Sequence, residues 1–249
     1  MSNQGYRAII VALSLAASAS FANEVRAAYT VSGSTGSGSS LRSASVTFDI
    51  SGSDLCVTLT NTANTDVMVP IDVLTAVFFD ISGGAVALTR TSGMLDGGSV
   101  VMYDPDGQPA GSVIGGEWAY KSALVGGPGN RSYGVSSTGL GLFGPGDRFP
   151  GADLQSPASP DGLQYGLLSA GDNSATGNGG VTGSGGLIMN SVKFTLGGAG
   201  SNFDLSRIHN IWFQYGTDLS EPGFPGVPEP ATLALLVGGA IMMKRRRAA

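Results

Sequence analysis

Ser45-Val46-Thr47-Phe48-Asp49-Ile50-Ser51-Gly52-Ser53-Asp54-Leu55-Cys56-Val57-Thr58-Leu59-Thr60 decides the fold class of this chain. Val46, Phe48 and Ile50 alternate with Ser45, Thr47 and Asp49; past the turn, Leu55, Val57 and Leu59 alternate with Cys56, Thr58 and Thr60. A period of two sends one set of side chains to a core and the other towards water, the pattern of a half-buried strand. Ser51-Gly52-Ser53-Asp54 supplies the turn chemistry, so the stretch reads as a β-hairpin. Working outward, residues 73–81 form a longer apolar run suited to a central strand, and 99–103, 117–123, 163–168, 187–196 and 208–215 are further strand candidates. Eight or so strands over roughly 180 residues predict an all-β domain, a β-sandwich or a jelly-roll-like arrangement. Two glycine-rich intervals, 126–160 and 169–186, read as long loops, which are commonly functional or mobile.

Composition agrees. The chain has 249 residues, 42% hydrophobic and 12% charged, with 40 glycines and a formal charge of −5. Glycine without a Gly-X-Y period excludes collagen, and the apolar content is too high for a wholly disordered chain. Glu24, Glu117, Glu221 and Glu229 are its glutamates and Lys121, Lys193 and Lys244 its lysines, too few for long solvated helices. Cys56 is the one cysteine, which excludes an intramolecular disulfide, a CxxC pair and a cysteine zinc site, and leaves an intermolecular disulfide open. Between residues 29 and 226, seven basic residues face sixteen acids, a balance of −9 that would repel nucleic acid.

The two ends carry addresses. Arg7 precedes an apolar run from Ala8 to Ala19 and a small-residue stretch around Ser20-Phe21-Ala22, the order of a secretory signal peptide over residues 1–27. The run is about twelve residues, or about 18 Å of helix against a hydrocarbon core of about 30 Å, which suits a cleaved signal helix better than a permanent span. Cleavage fits best after Ala22, with Ala27 as second candidate. Residues 28–43, rich in Gly and Ser, read as a flexible linker to an ectodomain over 44–220. The tail, 221–249, contains Val227-Pro228-Glu229-Pro230, an apolar helix over 231–243 and Lys244-Arg245-Arg246-Arg247. Two prolines hold the motif extended. The apolar stretch is about 20 Å long, a short transmembrane helix and a weak permanent anchor, and the four cations would keep its far end in the cytoplasm. A plain C-terminal membrane anchor and a core helix with a basic end are the competing readings.

This tripartite tail resembles the PEP-CTERM sorting signal of exosortase-dependent bacterial surface proteins, with Pro228-Glu229-Pro230 matching the signature. The resemblance covers about the last 23 residues and implies a Gram-negative host. It also implies export through the Sec translocon, removal of the signal by signal peptidase, and transient anchoring in the inner membrane. Cleavage near the motif by an exosortase and release to the surface or exopolysaccharide (biofilm) matrix would follow. A weaker resemblance joins Trp118-Ala119-Tyr120, residues 136–144 and residues 213–217 to ectodomains of such proteins; it carries no catalytic residues.

Candidate chemistry in the central domain is sparse. His209 is the single histidine, so no two-histidine metal site can form, and no Gly-x-Ser-x-Gly elbow occurs; a structural residue at a strand end is the better reading. Glu117 beside Trp118 lacks a recognisable carboxylate partner for glycoside hydrolysis. Asp104 and Asp106, and Asp172-Asn173 with Asn178, place oxygens in turns, weak calcium candidates that do not match the twelve-residue calcium loop. Asn130-Arg131-Ser132 fits a glycosylation sequon, a triplet that also arises by chance. Trp118, Tyr120 and Trp212 are candidate sugar platforms, with Tyr133, Tyr165 and Tyr215 behind them. The sequence therefore points to a non-catalytic structural or matrix-associated β domain without a cofactor. A carbohydrate-binding module is the alternative, followed by a secreted hydrolase.

Overall fold

The computed structural model describes residues 27–104, 107–144, 151–155 and 162–229. The apolar part of the expected signal helix, the apolar helix at 231–243 and the basic end at 244–247 lie outside the described residues. Among those described, no helix is long and apolar enough to cross a membrane.

The protein is all-β, with α1 (Gly179–Thr182) as its one short α-helix among the described residues. One sheet contains β1 (Tyr29–Thr35), β2 (Arg42–Ser51), β3 (Asp54–Asn61), β5 (Thr89–Leu95), β11 (Ser191–Gly197) and β14 (Val227–Pro228), in the order β14-β1-β2-β3-β11-β5. The other contains β4 (Leu74–Ile81), β6 (Val100–Met102), β9 (Leu167–Leu168), β10 (Leu187–Met189), β12 (Ile208–Tyr215) and β13 (Gly223–Pro225), in the order β13-β12-β4-β9-β10-β6. There β7 (Ala119–Lys121) pairs with β8 (Tyr133–Ser136), which pairs with β4. Both sheets keep open edges, so neither closes into a barrel.

The β2–β3 hairpin forms as expected, with Val46 opposite Leu59, Phe48 opposite Val57 and Ser51 opposite Asp54. Its two-residue loop has Gly52 at φ 62°, a positive angle glycine adopts without strain, and such primed turns match the right-handed twist of the strands. Val46, Phe48, Leu55, Val57 and Leu59 are fully buried. They share one core cluster with Val77 and Phe79 of β4, Phe213 and Tyr215 of β12, and Val192, Phe194 and Leu196 of β11, so residues of both sheets contribute to one core. The unbroken apolar run of β4 has a physical cause. Val77 and Phe79 face that core, while Ala76 and Phe78 belong to a second cluster with Ala119, Leu124, Leu140 and Phe143, so the strand is covered on both faces.

Several expectations need correction. The linker at 28–43 is instead β1, a 3-10 turn at Gly38–Ser40 and the start of β2. Tyr29 and Val31 are buried at 5% and 0% exposure while the intervening positions carry Thr and Ser, and the strand pairs with β2 from Tyr29↔Phe48 to Thr35↔Arg42. The β body thus extends from Tyr29 to Pro228, beyond the expected 44–220 at both ends. The single strand expected over 187–196 divides into β10 and β11, in different sheets, around Asn190 at φ 88°. The 163–168 candidate contracts to β9, and β8 crosses the interval expected to be loop. Cys56 lies on the outward face of β3, opposite Asp49 and Thr195, yet only 6% of it is exposed. Burial pushes its thiol pKa up, with Lys193 pulling the other way.

Candidate functional site

Of Val227-Pro228-Glu229-Pro230, the stretch expected to be a sorting motif, the first three residues lie in the described structure, where the chain passes from one sheet to the other. After β12 the chain turns back as β13, with Phe224 opposite Phe213 and Pro225 opposite Trp212. Gly226 then carries it from one sheet to the other, its N–H donating to Ile211 O at 3.0 Å. A Cβ at Gly226 would lie 2.5 Å from Val31 Cγ1, so the crossing requires a residue without a side chain. Beyond it β14 pairs antiparallel with β1, Val227 opposite Ser32 and Pro228 opposite Val31. The Glu229 N–H donates to Thr30 O at 3.3 Å.

That last bond fixes how the proline sits. Antiparallel pairs alternate between hydrogen-bonded and non-bonded, so with Glu229 bonded to Thr30 the Val31–Pro228 pair is of the non-bonded kind. The missing N–H of Pro228 therefore faces away from β1 and removes no bond from the ladder. Pro225 occupies the equivalent position in β13, between Gly226, which donates to Ile211, and Pro222, whose carbonyl accepts from Tyr215 N at 3.0 Å. Both edges at this end thus present a proline outward, which discourages pairing with another strand. Val227 is 66% exposed and Glu229 is exposed, so these two side chains face solvent while the backbone between them is engaged, and Pro228 is half-buried opposite Val31. Pro230 and Lys244, Arg245, Arg246 and Arg247 lie outside the described residues.

The three aromatic candidates do not form a platform, which corrects that expectation. Trp118 is fully buried in the inter-sheet core, its ring centroid 4.8 Å from that of Phe194 and its indole N–H donating to Tyr165 O at 3.2 Å. Tyr120 is buried in the same core, and burial pushes its hydroxyl pKa up. Trp212 belongs instead to the second cluster and is half-buried, with the Arg131 guanidinium 5.1 Å from its ring centroid. Arg131, central in the possible sequon, is itself buried and donates to the carbonyls of Pro128, Asn210 and Ile211. A cleft of about 520 Å³ lies beside Tyr120, with Arg90 and Lys121 on its walls. Both cations are tied to neighbouring carbonyls, Arg90 to Gly151 at 2.6 Å and Asp153 at 3.1 Å, Lys121 to Leu142 at 2.8 Å.

The acids and the histidine are also separate. His209 is exposed and sits opposite Asp80 in the β12–β4 register. The Asp80 carboxylate accepts from Ser132 N at 2.8 Å and from Asn210 Nδ2 at 2.7 Å, so its acceptor positions serve the adjoining loop. Glu117 is buried. Asp104 accepts from the Tyr165 hydroxyl at 2.9 Å, whereas Asp106 lies outside the described residues. No group of three His, Cys, Asp or Glu side chains is placed to hold a metal among the described residues.

Asp66 and Asp172 instead clasp two loops reciprocally. Asp66 accepts from Asn173 N and the Thr176 hydroxyl at 3.1 and 2.7 Å, while Asp172 accepts from Val67 N and the Tyr103 hydroxyl at 3.1 and 2.9 Å. The Thr176 and Asn173 donors hold the Asp66 carboxyl below its usual range. Burial pushes Asp172 up against the pull of its own donors, and Tyr103 is pushed up to about 12 by burial and then by Asp172. Asp172-Asn173 and Asn178 are thereby accounted for as loop ties, Asn178 capping α1 by accepting from Gly180 N at 2.9 Å.

The seat of the motif on β1 escaped sequence reading. Its two signals were the alternation of Tyr29 and Val31 and the extended bias that Pro228 imposes on Val227. Compared with protein-family models, curated proteins and solved structures, the chain matches none.

Proposed function

We propose that this chain is an exported bacterial protein whose C-terminal tail is a PEP-type sorting signal, and whose body is a non-catalytic β-sandwich with a structural role at the cell surface or in an exopolysaccharide matrix. One observation carries the reading: the motif itself is a strand of the body, with Val227 and Pro228 paired to β1 and the Glu229 N–H donating to Thr30 O, and in sequence the apolar run and the four cations follow it. The order of body, extended motif, short apolar helix and cytoplasmic cations is that of a tail which halts in the inner membrane and offers its motif on the outer side.

The placement of the first strand and of the motif suits the same topology. Thr30 and Glu229 are bonded neighbours, so β1 and the motif lie at one edge, within about a strand spacing of 4.8 Å. A signal segment and a tail segment that both run back to one membrane face suit that placement. Export uses the Sec translocon and signal peptidase, and an exosortase removes the tail. The acidic body, at −9 between residues 29 and 226, is repelled by anionic headgroups once released. Polysaccharide in the matrix is the natural neighbour of the released body.

Replacing Pro228, Glu229 and Pro230 together with alanine tests the reading in an exosortase-bearing host. The expected result is at least a tenfold loss of protein from the surface and medium, with matching accumulation in the inner-membrane fraction. An unchanged distribution overturns the sorting function.

A further inference from the structure

We infer that the cleft beside Tyr120 binds an acidic sugar, whose carboxylate is held by Arg90 and Lys121; that this sugar belongs to an exopolysaccharide matrix rests on the sorting reading above. The cleft is lined by the start of β5, at the edge of one sheet, and by β7 of the other. Residues 151–153 tie its two sides together. The Tyr120 N–H donates to Ala152 O at 3.1 Å, and Arg90 Nη1 donates to Gly151 O at 2.6 Å and Asp153 O at 3.1 Å. Its volume of about 520 Å³ falls within the range of about 300–1,000 Å³ usual for small-ligand clefts.

Charge points to the ligand. Cations are scarce in a body at −9 between residues 29 and 226, and three of them are spent on structure. Arg42 pairs with Asp72, Arg131 is buried among carbonyls, and Arg207 donates to the carbonyls of Ser82 and Gly84. Arg90 and Lys121 are exposed, line one cleft and have no carboxylate partner among the described residues. The bonds to Gly151 and Asp153 use Nη1 of Arg90 alone, so they orient the guanidinium while Nε and Nη2 keep their donors for the two oxygens of a carboxylate. Lys121 gives one N–H to Leu142 O at 2.8 Å and retains two.

Tyr120 adds a second demand. It is 5% exposed, and its hydroxyl has no hydrogen-bond partner among the described residues, a destabilising state for a buried polar group. Burial pushes that hydroxyl's pKa up, the Ser122 side chain pulls against it and Tyr133 adds to it. Ser122 lines the cleft, and Tyr133 accepts from the N–H of Val86, two residues before the lining Leu88, so the hydroxyl end of the Tyr120 ring is the end that meets the cleft. Thr89 and Ser122 supply further hydroxyls to the walls. Two cations beside three hydroxyls suit a ligand with one carboxylate and many hydroxyls, a uronic acid unit, better than a bare anion.

Binding of short oligogalacturonates to the full-length chain in mild detergent at low salt tests this, with dextran as the neutral comparison. The expected result is saturable binding of the oligogalacturonate and none of dextran. Arg90→Gln combined with Lys121→Gln is expected to lower the affinity at least about tenfold, Lys121→Gln alone severalfold and Tyr120→Phe about threefold. Lys193→Gln, which removes an exposed cation outside the cleft, should leave it unchanged. The two single lysine variants remove only an exposed charge, so they stay readable even where loss of Arg90 loosens residues 151–153. Absence of oligogalacturonate binding, equal binding of dextran, or an equal loss in Lys193→Gln overturns the site. The assay uses unprocessed protein, so a failure of sorting leaves the site standing, and absent binding in a protein that is still sorted overturns the site alone.

Discussion

Trp118→Ala lowers the unfolding free energy of the released protein by about 3–5 kcal/mol, the range for removing a large buried aromatic side chain, and shifts its urea midpoint accordingly. Trp118 is among the largest fully buried side chains, so the transfer loss is complete and its surroundings, packed from two sheets, close over the gap only in part. The ring contact with Phe194 joins β11 of one sheet to the segment leading into β7 of the other, and it is lost as well. So is the indole bond to Tyr165 O, at a residue with φ of 59°. Trp118→Phe keeps most of the area and loses only that bond and some volume, and should cost less than half as much. A loss below about 1 kcal/mol for the alanine variant would mean that Trp118 is not enclosed between the sheets, and the sugar-platform reading would return.

Asn61→Leu is expected to cost about 1–3 kcal/mol despite adding apolar volume to a buried position, because a buried polar group that loses its partner costs about that much. Asn61 is 1% exposed and ties the sheets together: its Nδ2 in β3 donates to Leu167 O of β9 at 3.0 Å, and its Oδ1 accepts from Ala63 N at 3.2 Å. The Tyr215 hydroxyl approaches the same oxygen at 3.4 Å while donating to Ser43 O at 3.0 Å. Leucine cannot replace the donor to Leu167 O, whereas Ala63 N keeps the Ser43 carbonyl at 3.2 Å as its acceptor. Chemical denaturation with the Tyr215→Phe single and double variants separates the terms. The two substitutions should be non-additive because they share one network, and strict additivity would show that the network does not exist.

Legibility in the sequence followed the physics of burial. The β2–β3 hairpin was readable because one face of each strand is buried and the other is not, and β4 was readable because burial on both faces leaves an apolar run. β1 was not: its Ser and Gly content has the composition of a tether, and the two residues that make it a strand, Tyr29 and Val31, are buried by partners distant in sequence, Phe224 and the β14 segment. β8 has no alternation to find, since Tyr133, Gly134, Val135 and Ser136 are all buried. The break between β10 and β11 depends on the single left-handed residue Asn190, a conformation open to asparagine but not signalled by it.

The candidate site divides in the same way. The order of motif, apolar run and cations is local and was visible. The seating of the motif on β1 joins positions about two hundred residues apart, and nothing local encodes such a pairing. Trp118, Tyr120 and Trp212 stood out by residue type alone, and only tertiary packing decides whether an aromatic face is offered or consumed.

The most direct test of the central claim, that the tail is a processed sorting signal, is the intact mass of the native protein recovered from the cell surface and medium. The account predicts a single species that lacks the N-terminal segment through Ala22 or Ala27 and lacks the apolar run and cations beyond the motif. A species that still ends at Ala249 and is found with the inner membrane would contradict it, and would make the tail a permanent anchor.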